Sequence, residues 1–284
     1  MTDAFLSDAR QAFHSALLQN NILSTSEKSI PSNADASSRV SVAIANGILE
    51  KLGKPRATEK LRGQIAGATF ERVCAEFIDV GFRALGHMRP GHWVVGKGGN
   101  VAHYDQYSHL AALEVLAKQN RELWAALGSD YLIKPDIVIA RHPEPDESFD
   151  TDGSRAYLND HVAKLTPLRL SNNDKPILHA SISCKWTIRS DRVQNARSEG
   201  LVLVRNRKGR LPHIAVITGE PSPSRIASIA LGTGDIDCVY HFALTELREV
   251  VSEPNLGEAS DLVETMIAGK RLRDISDLPV DLVI

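Results

Sequence analysis

Apolar residues recur at three- and four-residue intervals over 5–20, 39–52 and 64–85, the spacing of one face of an α-helix. The third run is the strongest. In QIAGATFERVCAEFIDVGFRAL, the side chains of Phe70, Val73, Cys74, Phe77, Ile78 and Phe82 share one stripe. The period then changes. HWVV at 92–95, YLIKPDIVIA at 131–140 and ILHASISC at 177–184 are short, bounded by turn residues and rich in β-branched or small apolar positions, which predicts strands. Pro135 removes a ladder donor and places its strand at an edge or a bulge. ILHASISC is nearly continuous in apolar and small residues, as a buried strand is. Further strands are expected at 213–218 and 236–241, and further helices at 106–127, 190–204, 242–252 and 257–269. The alternation predicts an α/β fold.

Between the first two helices, STSEKSIPSNADASS at 24–38 is poor in large apolar residues, and its composition reads as a mobile linker. GKGGN at 96–100 lacks the GK[ST] ending of a phosphate loop and reads as a turn. Residues 141–155 are acidic and contain proline, which predicts an exposed loop. With no internal repeat and no boundary between compositionally distinct halves, a single domain spanning 1–284 is expected.

Composition narrows the class. The 284 residues are 43% hydrophobic and 24% charged, ordinary for a globular chain. A formal net charge of -2 excludes a generally basic nucleic-acid binder, so any DNA contact has to use a local basic surface. The cysteines at 74, 184 and 238 are odd in number and widely spaced, which argues against a disulfide framework or a zinc site. MTDAFLSDAR has neither the basic start nor the apolar core of a secretion signal, and no apolar run nears the roughly 18 residues that cross a bilayer. A cytoplasmic protein with no membrane partner is expected.

The chemistry concentrates in Pro135-Asp136, then Ser183-Cys184-Lys185, then Glu199. Two neighbouring strands can present Asp136 and Lys185 to one phosphate. Metal-assisted phosphodiester hydrolysis needs such a pair: a carboxylate for a hard cation, and an ammonium to stabilise charge and orient the attacking water. In the nuclease pattern PD…(D/E)xK an acid stands two residues before the lysine, but here that residue is Ser183. Glu199, on the following helix, can fold back toward the strand ends, and Glu71 on the long helix is a second acid for the site.

From Lys185 to Arg210 there are eight Lys or Arg residues against two acids. At the start of this helix stands Arg189-Ser190-Asp191-Arg192. Helix N-termini reach into the major groove, arginine pairs bidentately with guanine, and aspartate accepts from cytosine N4. An acid among arginines is poor for attracting phosphate but suits reading a G·C-rich sequence. Two other readings share parts of this set: a structure-specific nuclease with the same Asp136 and Lys185, and a non-catalytic DNA-binding regulator using the same helix.

The strings SISCKWTIRSDRVQNARSEGLVLVRNRKGRLPHI, GSDYLIKPDI, EPSPSRIASIALGTGDIDCVYHFAL and GKRLRDISDLP resemble the NgoMIV-type group of type II restriction endonucleases. These are tetrameric enzymes of the PD-(D/E)xK superfamily whose sites share a CCGG core. The resemblance runs nearly the full length and is weakest in 86–127 and 141–175. It implies a mixed central β-sheet flanked by helices, and magnesium-dependent cleavage of double-stranded DNA, at GCCGGC, to 5′-phosphate ends. It implies Asp136 and the Cys184 carbonyl as metal ligands, Lys185 as the catalytic lysine, and Glu199 as the displaced acid, with Glu71 close by; Ser183 stands where the group also has serine. Arg189, Asp191 and Arg192 are implied as readers of the core. Asp35, Ser37, Gln64 and Arg225 are implied for the outer pairs, which turns the 24–38 segment into a reading loop ordered by DNA. The group's NADGS is NADAS here, with Asp35 and Ser37 kept. A homotetramer, as a dimer of dimers, follows from the same resemblance.

Overall fold

The computed structural model describes residues 4–53, 61, 63–128, 132–150, 153, 156–232 and 234–284, the side chains of residues 127 and 190–193 excepted. The chain opens with three helices, α1 (Phe5–Gln19), α2 (Arg39–Leu52) and α3 (Gly63–Ala84). Strands β1 (Trp93–Lys97), β2 (Ile137–Arg141) and β3 (Ile177–Lys185) follow, with α4 (His109–Gln119) and α5 (Arg121–Leu127) between the first two. Next come α6 (Ser190–Asn206), β4 (His213–Thr218), α7 (Pro223–Ala230), β5 (Cys238–His241), α8 (Leu244–Val251), α9 (Gly257–Ala268) and β6 (Leu272–Asp274), and a single turn, α10 (Leu278–Asp281), closes the chain.

One six-stranded sheet runs in the order β1-β2-β3-β4-β5-β6. Its first half is antiparallel and its second half parallel. Parallel neighbours need a crossover, which α6, α7 and the α8–α9 pair supply. The fold is therefore α/β with a mixed central sheet flanked by helices. β3 and β4 are buried along almost their whole length, as strands covered on both faces must be. The predicted stripe of α3 is the one it buries: Phe70, Val73, Cys74, Phe77, Ile78 and Phe82 are all in the core. Phe77 meets Phe13 of α1 with ring centroids 5.1 Å apart, Phe82 meets the edge of Trp93 at 5.4 Å, and Phe70 meets Trp186 at 5.0 Å. No helix among the described residues is long and apolar enough to cross a membrane.

Several elements differ from the sequence expectation. β2 is an inner strand, between β1 and β3, and begins at Ile137, so Pro135 lies ahead of the ladder and spoils no pairing; the ladder's irregularity falls between Ile139 and Ala140. The helix expected over 106–127 is two, divided at Asn120, whose side chain caps the second by accepting from the amides of Glu122 and Leu123. α7 and β6 are additions. The 24–38 segment is not a linker but packs back on the core. Thr25 bridges to Pro31, the buried Ser32 hydroxyl donates to the Ile22 carbonyl, and Asn33, also buried, donates to the Gly219 carbonyl at 2.7 Å.

Candidate active site

Strand register assembles the centre. Ile137 pairs with Ile182, so the residue before it, Asp136, lies beside Ser183 and Cys184 at the other strand's end. Ser183 and Lys185, two apart, project from the same face of β3. The Lys185 ammonium sits 3.1 Å from Asp136 Oδ2, and the Cys184 amide donates to the same oxygen at 2.7 Å. Both side chains are only partly exposed, 23% for Asp136 and 16% for Lys185. The Lys185 carbonyl is held by the Thr218 hydroxyl at 2.8 Å and the Gly219 amide at 3.2 Å, which fixes the end of β3 against β4.

Glu199 does fold back. It lies in the third turn of α6, and the Ser183 hydroxyl donates to its Oε2 at 3.0 Å. Ser183 thus tethers the acid in the place where the usual pattern carries it directly. Burial raises the Glu199 carboxyl above the usual range and the charge of Asp136 adds to this, against the lowering effects of Lys185 and the Ser183 hydrogen bond. Glu71, in α3, is raised by burial and then by Asp136, while Lys185 and Lys97 oppose. Lys97 carried no sequence signal. It stands at the end of β1 in GKGGN, where Gly98 donates its amide to the Asp136 carbonyl at 3.1 Å. A Cβ on Gly98 would lie 1.9 Å from the Pro135 carbonyl oxygen, so glycine is what lets this turn press against the backbone that carries Asp136.

Lys185, Cys184, Glu199 and Glu71 of this centre line a cleft of about 1520 Å³. The proposed outer-pair readers line it too: Asp35, Gln64 of α3 and Arg225 of α7. Arg225 pairs with Asp35, whose carboxyl is held below the usual range by the hydroxyl and amide of Ser37 as well as by that guanidinium. Ser37 itself is exposed. Arg189, exposed, is the N-cap of α6 and opens onto the cleft. The backbones of Asp191 and Arg192 lie in the first turn of α6, but their side chains fall outside the described residues.

The profile of the NgoMIV restriction enzyme family matches residues 13–284. The type II restriction enzyme NgoMIV of Neisseria gonorrhoeae is 52% identical over 280 residues, covering 97% of this chain and 97% of its own. The chain belongs to the NgoMIV restriction enzyme family. It is a type II restriction enzyme, a site-specific deoxyribonuclease, and its substrate is DNA. That removes the non-catalytic regulator and the nuclease that cuts by structure alone. Among solved structures, the type IIF restriction endonuclease Bse634I with cognate DNA aligns over 90% of this chain and 92% of its own, at 13% identity and a TM-score of 0.37. The restriction endonuclease PspGI in complex with substrate DNA aligns over 98% and 91%, at 13% identity and 0.26. Likenesses this low carry no further weight.

Type II restriction enzymes generally need a divalent metal, and this family member's centre suits one. The Lys185 ammonium acts on three acids, Asp136, Glu199 and Glu71, and the carboxyls of the two glutamates are raised by burial first, with the charge of Asp136 adding to it. A hard cation with oxygen ligands would relieve that surplus. Among the described residues no three His, Cys, Asp or Glu side chains form a ligand shell of their own. The available set is one or two carboxylates with a backbone oxygen, a partial shell of the kind a small hard cation completes with water and phosphate.

The raised Glu199 carboxyl has a consequence for stability. A carboxyl that binds its proton more tightly in the fold than in the unfolded chain favours folding below the ordinary carboxylate range, and that contribution is lost as pH rises through the raised value. Without metal, Glu199→Gln is therefore expected to melt above the wild type at pH 8 and level with it at pH 4, while cutting DNA more slowly. Melting curves across that range in a chelator check this; a variant that melts lower than the wild type at pH 8 contradicts it.

Proposed function

We propose that this enzyme cleaves double-stranded DNA at GCCGGC in a magnesium-dependent reaction, leaving 5′-phosphate and 3′-hydroxyl ends. The observation that carries the reading is the Asp136–Lys185 pair, 3.1 Å apart at adjacent strand ends, with Lys185 lining a cleft that Arg189, Asp35, Gln64 and Arg225 also line. Asp136 and the Cys184 carbonyl would hold the metal, with Glu199, positioned by Ser183, as the further acid, and Glu71 as a second acid for the site. When bound, magnesium supplies Lewis-acid stabilisation of the phosphate and acidifies water. Lys185 stabilises the charge that builds on the scissile phosphate and orients the attacking water. Arg189, Asp191 and Arg192 read the CCGG core from the start of α6, and Asp35, Ser37, Gln64 and Arg225 read the outer pairs. The whole chain acts as one domain.

A palindromic site has a two-fold axis, so equal reading of both halves needs a symmetric dimer at least. The family resemblance supports a dimer of dimers, each holding its own site. Such an enzyme is expected to cut a two-site plasmid faster than a one-site plasmid. Short duplexes bearing the site should rescue the one-site substrate by filling the empty cleft. Equal rates on the two plasmids, with a two-chain species in sedimentation, would remove the tetramer and leave the cleavage assignment standing.

A further inference from the structure

Glu220 takes no part in the chemistry above, yet it is wholly buried, with 0% of its surface exposed. An unpaired carboxylate there is costly, and an apolar side chain of similar size would fill the space without that penalty. What the carboxylate holds is specific. Oε2 accepts from the Ile188 amide at 2.8 Å, Oε1 accepts from the Ser222 amide at 3.2 Å, and the Arg225 guanidinium lies 3.9 Å from Oε2. Ile188 directly precedes Arg189, the N-cap of α6. Arg225 in turn pairs with Asp35. The backbone that carries Glu220 is itself pinned, because its amide donates to the Thr218 hydroxyl at 3.1 Å and the neighbouring Gly219 carbonyl receives Asn33 of the 24–38 loop. The approach to α6 and the start of α7 thus meet on one buried acid, and the loop around Asp35 joins them through Arg225 and the Gly219 carbonyl.

We infer that Glu220 is a specificity-positioning residue: its carboxylate fixes the backbone entering the reading helix and aims Arg225 at the outer base pairs. The inference rests on the proposed reading of the outer pairs by Arg225 and Asp35. Glu220 touches neither DNA nor the reacting atoms, so its effect appears in discrimination between sites. Glu220→Gln separates the approach to α6 from the start of α7, since its one amide oxygen can still accept from Ile188 while its NH2 can neither accept from Ser222 nor bring charge to Arg225.

The test measures kcat/KM on duplexes carrying GCCGGC, the outer-pair variant ACCGGT and the core variant GCATGC, for wild type, Glu220→Gln and Arg225→Ala, with melting temperatures alongside. Arg225→Ala and Glu220→Gln are each expected to lower the preference for GCCGGC over ACCGGT by about tenfold or more, the scale of one lost arginine–guanine contact. Glu220→Gln should keep its preference over GCATGC within about threefold of wild type, because the Ile188 bond survives. If Arg225→Ala relaxes the outer pairs and Glu220→Gln leaves them within about twofold of wild type, the inference fails and the reading of the outer pairs stands. Unchanged outer-pair preference in Arg225→Ala overturns that reading and the inference with it. Equal loss of both preferences in Glu220→Gln makes the residue merely structural and overturns the inference. Should Glu220→Gln not fold, Glu220→Asp takes its place. Drawing the charge back by one methylene should still lower outer-pair preference by about threefold, and wild-type preference in that variant overturns the inference.

Discussion

Asp136→Ala and Lys185→Ala are each expected to lose at least about 100-fold in cleavage while still binding the cognate duplex in calcium. Asp136 Oδ2 is where the Cys184 amide and the Lys185 ammonium converge. Removing that carboxylate deletes the proposed central oxygen ligand and the acid that pairs with Lys185. Removing Lys185 instead takes positive charge from the place where the phosphate builds negative charge, an interaction that strengthens in the transition state. Neither side chain is among the proposed readers, and so affinity for the site should survive. Rates measured under single-turnover conditions separate the two effects. Cleavage within about tenfold of wild type for either variant contradicts the assignment.

Arg192→Ala and Arg189→Ala should show the second large effect, in discrimination. Losing one bidentate arginine–guanine contact is expected to cost about 1–3 kcal/mol of preference at the affected base pair. Arg189 is exposed at the N-terminus of α6, where side chains can enter the major groove. Lys208→Ala provides the contrast. It is exposed just beyond the helix's C-terminal end, and a phosphate contact there would weaken binding about equally on every sequence. If Arg192→Ala binds matched and core-substituted duplexes in the wild-type ratio, the start of α6 is not the reader.

The amphipathic elements could be read from the sequence because burial left its period in them. α3 was expected over 64–85 and spans Gly63–Ala84, with every residue of its predicted stripe in the core. Position within the sheet is not encoded so directly. Pro135 suggested an edge strand or a bulge at that point, but the proline stands outside the ladder, the strand is internal, and the irregularity falls between Ile139 and Ala140. α7 and β6 escaped because they are short. α7 is eight residues opened by Pro223 in a PSPS turn-like run, and β6 is three residues whose pairing depends on β5. The 24–38 segment misled because Ser32 and Asn33 are buried by hydrogen bonds, which a hydrophobic pattern does not register.

The candidate site divides along the same line. Asp136 and Lys185 carry a motif. The Ser183–Glu199 tether follows from a helix folding back, which the residue types allowed and which packing alone fixes. Lys97 and Glu220 had no signal at all. One is a lysine in a glycine turn and the other an acid before a proline, and each gains its meaning from neighbours distant in the chain.

A magnesium-dependent digest of plasmid DNA, with the fragment ends sequenced, tests the central claim most directly. The account predicts cuts confined to GCCGGC, 5′-phosphate ends, and no cutting in a chelator. Fragments whose ends share no common sequence, or cutting that persists without divalent metal, would contradict it.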